Sequence, residues 1–136
     1  MKKVTYTSCC LLLVSLFTIS GLFAQTNVNI PYNTGAVTFT IAPPGTTFFN
    51  FYDNGGPAAN YSNSSNAATS VATFRPSDPT TQKVRSTFSS YATEGSFDYL
   101  YIYNGLTTGA PLIYTGNGTT LPPVLTASGA SRAVTF

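Results

Sequence analysis

The feature that most constrains this chain is its punctuation. Turn-forming clusters recur at short intervals: Pro43-Pro44-Gly45, Asn54-Gly55-Gly56-Pro57, Pro76-Ser77-Asp78-Pro79, Asn104-Gly105, Asn117-Gly118 and Pro122-Pro123. Proline fixes φ and lacks an N–H, while glycine and asparagine accept positive φ, so each cluster ends a regular element. The segments between them carry no helical apolar period. They alternate in polarity and are rich in Val, Thr, Phe and Tyr: AVTFTIA (36–42), TFFNFY (47–52), KVRSTFSSY (83–91), DYLYIYN (98–104), PLIYT (111–115) and RAVTF (132–136). Short strands separated by turn signals predict an all-β chain folded as an antiparallel β-sandwich. The stretch NYSNSSNAATS (60–70) is polar and reads as a loop, and no internal repeat is present.

The first two dozen residues do not belong to that sandwich. Lys2 and Lys3 precede an apolar run from Cys9 to Phe23, which ends at Ala24-Gln25. This is the pattern of a secretory signal peptide over 1–24, with cleavage after Ala24. The run is short for a bilayer and no basic cluster follows it, which argues against a membrane span. Cleavage removes both cysteines, Cys9 and Cys10, and both amino-terminal lysines. Residues 25–136 then balance Arg75, Lys83, Arg85 and Arg132 against Asp53, Asp78, Glu94 and Asp98. A neutral chain offers no electrostatic case for nucleic acid or an anionic membrane. Without cysteine, an exported domain must be held by its core or by a metal.

Two of those four acids stand in EGSFDYLYIYNG (94–105). Side chains of equal parity share a face of a strand, so Asp98 points with Leu100 and Ile102 toward the core. A carboxylate on that side is tolerable only at the rim and only with a partner. Glu94, across the turn, has the wrong sign. A divalent cation would satisfy both acids, and hard oxygen ligands suit calcium. The alternatives are a salt bridge to Arg85, Lys83 or Arg132, or solvation of Glu94 on its turn. The opposite face carries Tyr99, Tyr101 and Tyr103. Three aligned phenols suit a sugar or a protein partner, and Tyr is also favoured on any half-exposed sheet face. Asp53-Asn54-Gly55-Gly56-Pro57 reads as a tight turn. Asn60, Asn63 and Asn117 begin Asn-x-Ser/Thr triplets, which matter only in a host that glycosylates.

Catalysis finds no support in the residues. After cleavage the chain has no His and no Cys, which removes Ser-His, Cys-His and His-ligated zinc chemistry. No nucleophile elbow, phosphate loop or dinucleotide fingerprint occurs. The expectation is a non-catalytic module.

The order of motifs resembles the CUB domains of secreted bacterial proteins. FYDNGGPAANYSNS (51–64) is similar to that family's Asp-x-Gly-Gly opening followed by Asn-Tyr-Ser, and TFRP (73–76) to the close of its next strand. FSSYATEGSFDYLYIYNG (88–105) resembles the core of the family, with Tyr91 in place of Phe and Asn104 in place of Asp. PLI, TGNGTTLPP and SGASRAVTF continue the likeness, which covers 46–136 and follows a lead-in over 25–45 where the first strand falls. The resemblance implies a jelly-roll-like β-sandwich that binds extracellular protein or carbohydrate without catalysis. It also implies a calcium ion held by Glu94 and Asp98, with a third acid beyond Phe136. The chain closes in mid-strand, and the expectation is a fragment of a longer secreted or cell-surface protein with part of its core left open. The reading from another class is a structural spacer in a surface adhesin or stalk.

Overall fold

The computed structural model describes residues 24–43, 47–62 and 69–136. The predicted signal peptide falls outside the described residues except for Ala24. The chain is all-β, with nine strands and no helix longer than a single turn among the described residues. No helix among them is long and apolar enough to cross a membrane.

The strands are β1 (Ala24–Asn29), β2 (Gly35–Ile41), β3 (Thr47–Tyr52), β4 (Ser70–Pro76), β5 (Arg85–Ser86), β6 (Leu100–Tyr103), β7 (Leu112–Gly116), β8 (Leu125–Thr126) and β9 (Val134–Thr135). Five of them form one sheet in the order β2-β4-β9-β6-β7, while β1-β3 and β5-β8 form two small sheets. Phenylalanines join the layers. Phe49 and Phe51 of β3 meet Phe74 of β4 with ring centroids 5.7 and 5.1 Å apart, and Phe39 of β2 meets Phe49 at 5.8 Å. Val84 and Ala127, beside the β5-β8 pair, join the same buried cluster as Phe74, Ile102, Val134 and Phe136.

The expected antiparallel arrangement requires one correction. β1 pairs β3 in parallel, and β2 pairs β4 in parallel, whereas the β4-β9, β9-β6, β6-β7 and β5-β8 pairs are antiparallel. The cause is alternation between layers. The chain passes from β1 to β2 to β3 to β4, changing sheet at each step, so every second strand returns in the same direction. Parallel neighbours need such crossovers, because a tight hairpin reverses the chain. β2 and β3, which flank the turn signal at 43–45 in the sequence, therefore belong to different sheets and form no hairpin.

β2 shows the alternation that a half-buried edge strand requires, with Val37, Phe39 and Ile41 turned inward. β4 does not: every residue but Arg75 is buried. It lies between β2 and β9, and the loop after β6 covers its outer face. There the Thr135 hydroxyl donates to the Gly105 carbonyl at 2.8 Å and lies 2.9 Å from the Thr73 hydroxyl. Thr135 is fully buried. Thr135→Val keeps the shape but removes the donor to the Gly105 carbonyl and leaves the Thr73 hydroxyl only its longer bond to the Leu106 carbonyl at 3.4 Å. The expected cost is about 1–2 kcal/mol in chemical denaturation. Thr73→Val/Thr135→Val should cost less than the sum of the two single changes.

The carboxy-terminal residues form the expected strand in a central place. Phe136 exchanges backbone hydrogen bonds with Ala72 at 2.8 and 3.0 Å. Its ring is buried against Phe51, Phe74 and Phe88.

Candidate functional site

The site grows from a turn. The N–H groups of Phe97 and Asp98 donate to the Glu94 carbonyl at 3.3 and 3.0 Å, with Ser96 at its crest in the left-handed region (φ 71). The preceding segment is clamped to the turn after β7. Thr93 N–H donates to the Gly118 carbonyl, and Gly118 N–H returns a bond to the Thr93 hydroxyl, both at 2.9 Å. Gly118 has φ +74, which is why the Asn117-Gly118 signal turns here.

A second loop closes over the first. Asp53 accepts the Gly55 N–H at 2.8 Å, the turn role that its sequence context implies. Gly55 admits no side chain, because a Cβ there would lie 2.2 Å from the Asn60 carbonyl oxygen. Asn54 accepts the Ser62 N–H at 3.0 Å. This folding of 53–62 brings Tyr61 onto the Glu94–Asp98 turn. Its hydroxyl donates to Asp98 Oδ2 at 2.7 Å and accepts the Glu94 N–H at 2.9 Å. The hydrogen bond to Asp98 holds the Tyr61 phenol above its ordinary pKa, and burial adds in the same direction.

The parity argument for Asp98 agrees with this geometry: Asp98 and Leu100 are half-buried and Ile102 is fully buried. The observed partner of Asp98 is the Tyr61 phenol, not the guanidinium or ammonium of Arg85, Lys83 or Arg132. Glu94 is exposed and contributes its backbone to the bond network. The oxygens of Glu94 and Asp98 fit calcium in kind, being hard and at an exposed rim. In number they fall short, since no group of three His, Cys, Asp or Glu among the described residues is placed to hold a metal ion.

The tyrosines divide. Tyr99 and Tyr101 are 48% and 38% exposed, with ring centroids 6.2 Å apart and planes tilted by 32°. Tyr103 is half-buried and stands opposite Thr135 of β9. Across β7, Thr115 faces Tyr101 and the half-exposed Leu112 faces Tyr103. Phe97, 75% exposed at the tip of the turn, adds an aromatic ring that the sequence reading did not single out. Tyr61 was also missed. Its signal was an aromatic residue inside an otherwise polar loop, which must pack somewhere.

Tyr91 supplies a pH prediction. It donates to the Gly116 carbonyl at 2.6 Å, and burial raises its pKa above that of a free tyrosine. A raised acid favours the native state below the unfolded pKa of about 10, and that contribution is lost as pH rises through the native value. Stability of the wild type should therefore fall above about pH 10. Tyr91→Phe should show a shallower alkaline decline in urea titrations between neutral and strongly alkaline buffer.

Comparison with protein-family models, with curated proteins and with solved structures finds no match to this chain.

Proposed function

We propose that this chain is a non-catalytic extracellular recognition module of CUB type, part of a longer secreted or cell-surface protein, that binds protein or carbohydrate. The observation that carries this reading is the Tyr99–Tyr101 pair. Two phenol rings stand side by side and half-exposed at the start of β6, whose other face is sealed by Ile102. Such rings give a large contact area at little entropic cost, with a hydroxyl at each tip for hydrogen bonding. Tyr103 extends the same face inward. Export rests on the lysine-led apolar run of residues 1–24.

The reading includes calcium at the rim, with Glu94 and Asp98 as the residues that would hold it and with carbonyl oxygens and water completing its shell. The ion would neutralise two acids next to the aromatic face. Tyr61 keeps Asp98 oriented toward the turn. Two acids alone should bind weakly, at about 0.1–1 mM, the range of extracellular modules.

The test is binding to glycan and extracellular-protein arrays by the wild type and by Tyr101→Ala. Binding that depends on Tyr101 supports a recognition module. A folded protein that binds nothing supports the spacer.

A further inference from the structure

The layer opposite the tyrosines carries a second face of different chemistry. In the parallel β1-β3 pair, Gln25 stands beside Phe48, Asn27 beside Asn50, and Asn29 beside Tyr52. The intervening residues Val28, Phe49 and Phe51 pack into the core, so these three pairs form the outer surface. Its amides are ordered by one another: Gln25 Nε2 donates to Asn50 Oδ1 at 2.8 Å, and Asn50 Nδ2 donates to Asn27 Oδ1 at 2.9 Å. Phe48 is 55% exposed, and Tyr52 is half-buried. None of the six residues is charged, and the adjacent acid, Asp53, spends its carboxylate on the Gly55 N–H.

We infer that this amide ladder is a binding site for a short stretch of neutral polysaccharide, separate from the Tyr99–Tyr101 face. Hydroxyl-rich, uncharged chains need paired donors and acceptors together with an apolar ring face. The three bonded amides, Gln25, Asn27 and Asn50, keep capacity after their internal bonds, including the Asn27 amino group and the Gln25 carbonyl oxygen. Their mutual bonds fix the side chains beforehand, which lowers the entropy lost on binding. Tyr52 and Phe48 lie four residues apart on one strand, about 13 Å, so the ladder runs between two rings. Size selects the occupant. Two six-residue strands present roughly 200 Å², whereas a stable protein interface takes about 800 Å² from each partner. A second copy or a folded partner needs more surface than this, and a sugar chain does not.

Affinity electrophoresis of the folded chain provides the test, in gels containing a soluble β-glucan, a galactomannan or dextran, with alginate as the anionic contrast. Wild type should be retarded in at least one neutral gel and not in alginate. Asn50→Ala, which cuts both internal bonds, and Asn50→Asp, which keeps the shape but adds charge, should each weaken retardation about tenfold or more. Tyr52→Ala should do the same, and Tyr101→Ala should leave it unchanged. Matching melting temperatures separate this from unfolding. Absence of retardation in every neutral gel overturns the inference. So does retardation insensitive to Asn50, lost in Tyr101→Ala, or seen only in alginate. A dimer in sedimentation that Asn50→Ala dissolves also overturns it, because the ladder then meets a second copy.

Discussion

Phe74→Ala is expected to cost about 3–5 kcal/mol, the range for truncating a buried phenylalanine. Phe74 lies on β4, within the five-stranded sheet, and its ring is the common neighbour of the core. Phe39 stacks on it at 5.0 Å, Phe51 and Phe49 meet it at 5.1 and 5.7 Å, and Phe136 at 5.8 Å. These rings come from β2, β3 and the end of the chain, so removing their shared neighbour leaves a cavity that no single strand can fill by shifting. Domains of this size hold roughly 5–15 kcal/mol in all. Each kcal/mol moves the melting temperature by about 4–8 °C, so a fall of about 12 °C or more is expected in calorimetry. Phe97→Ala is the control: with its ring 75% exposed, it should stay within about 0.5 kcal/mol of wild type. Equal effects from the two variants would contradict the assignment of the core.

The second large effect concerns calcium. At one hundred times its dissociation constant, an ion that binds only the folded chain adds about 2.7 kcal/mol, roughly 10 °C for a domain near 100 residues. Melts in excess calcium and in chelator should differ by this amount. Asp98→Asn should abolish the difference, since it removes one of two charges from the site. Tyr61→Phe should keep it, because both carboxylates remain. The same variant loses the hydrogen bond to Asp98 and should cost about 1 kcal/mol in either buffer. That pairing separates two roles that a single substitution at Asp98 would confuse. Identical melts of the wild type in both buffers would end the calcium reading and leave Asp98 as a rim acid held by a phenol.

What the sequence discloses here depends on where each residue ends up. β3 is predicted to the residue, and β2 within one residue, because their inward residues alternate with outward ones. β4 escapes that pattern. It is buried on both faces, so SVATFRP shows no period to detect. The segment 83–91 reads as one strand, yet only Arg85–Ser86 pairs. β1, within the stretch read as a lead-in, takes its place by pairing with β3, which no local signal announces. The parallel pairings are likewise invisible locally, since they follow from the chain changing layers. At the site, strand parity orients Asp98 and the tyrosines correctly. Its partner Tyr61 lies 37 residues away, and only folding of the 53–62 loop brings it there.

The most direct test of the account is quantitative binding by wild type and Tyr101→Ala to arrays of glycans and extracellular proteins, with melting temperatures recorded for both. The account predicts a ligand bound by the wild type and released at least about tenfold more readily by the variant, at matched stability, as expected when one exposed ring of a pair is removed. A folded wild type that binds nothing, or one for which no bound ligand depends on Tyr101, would contradict it.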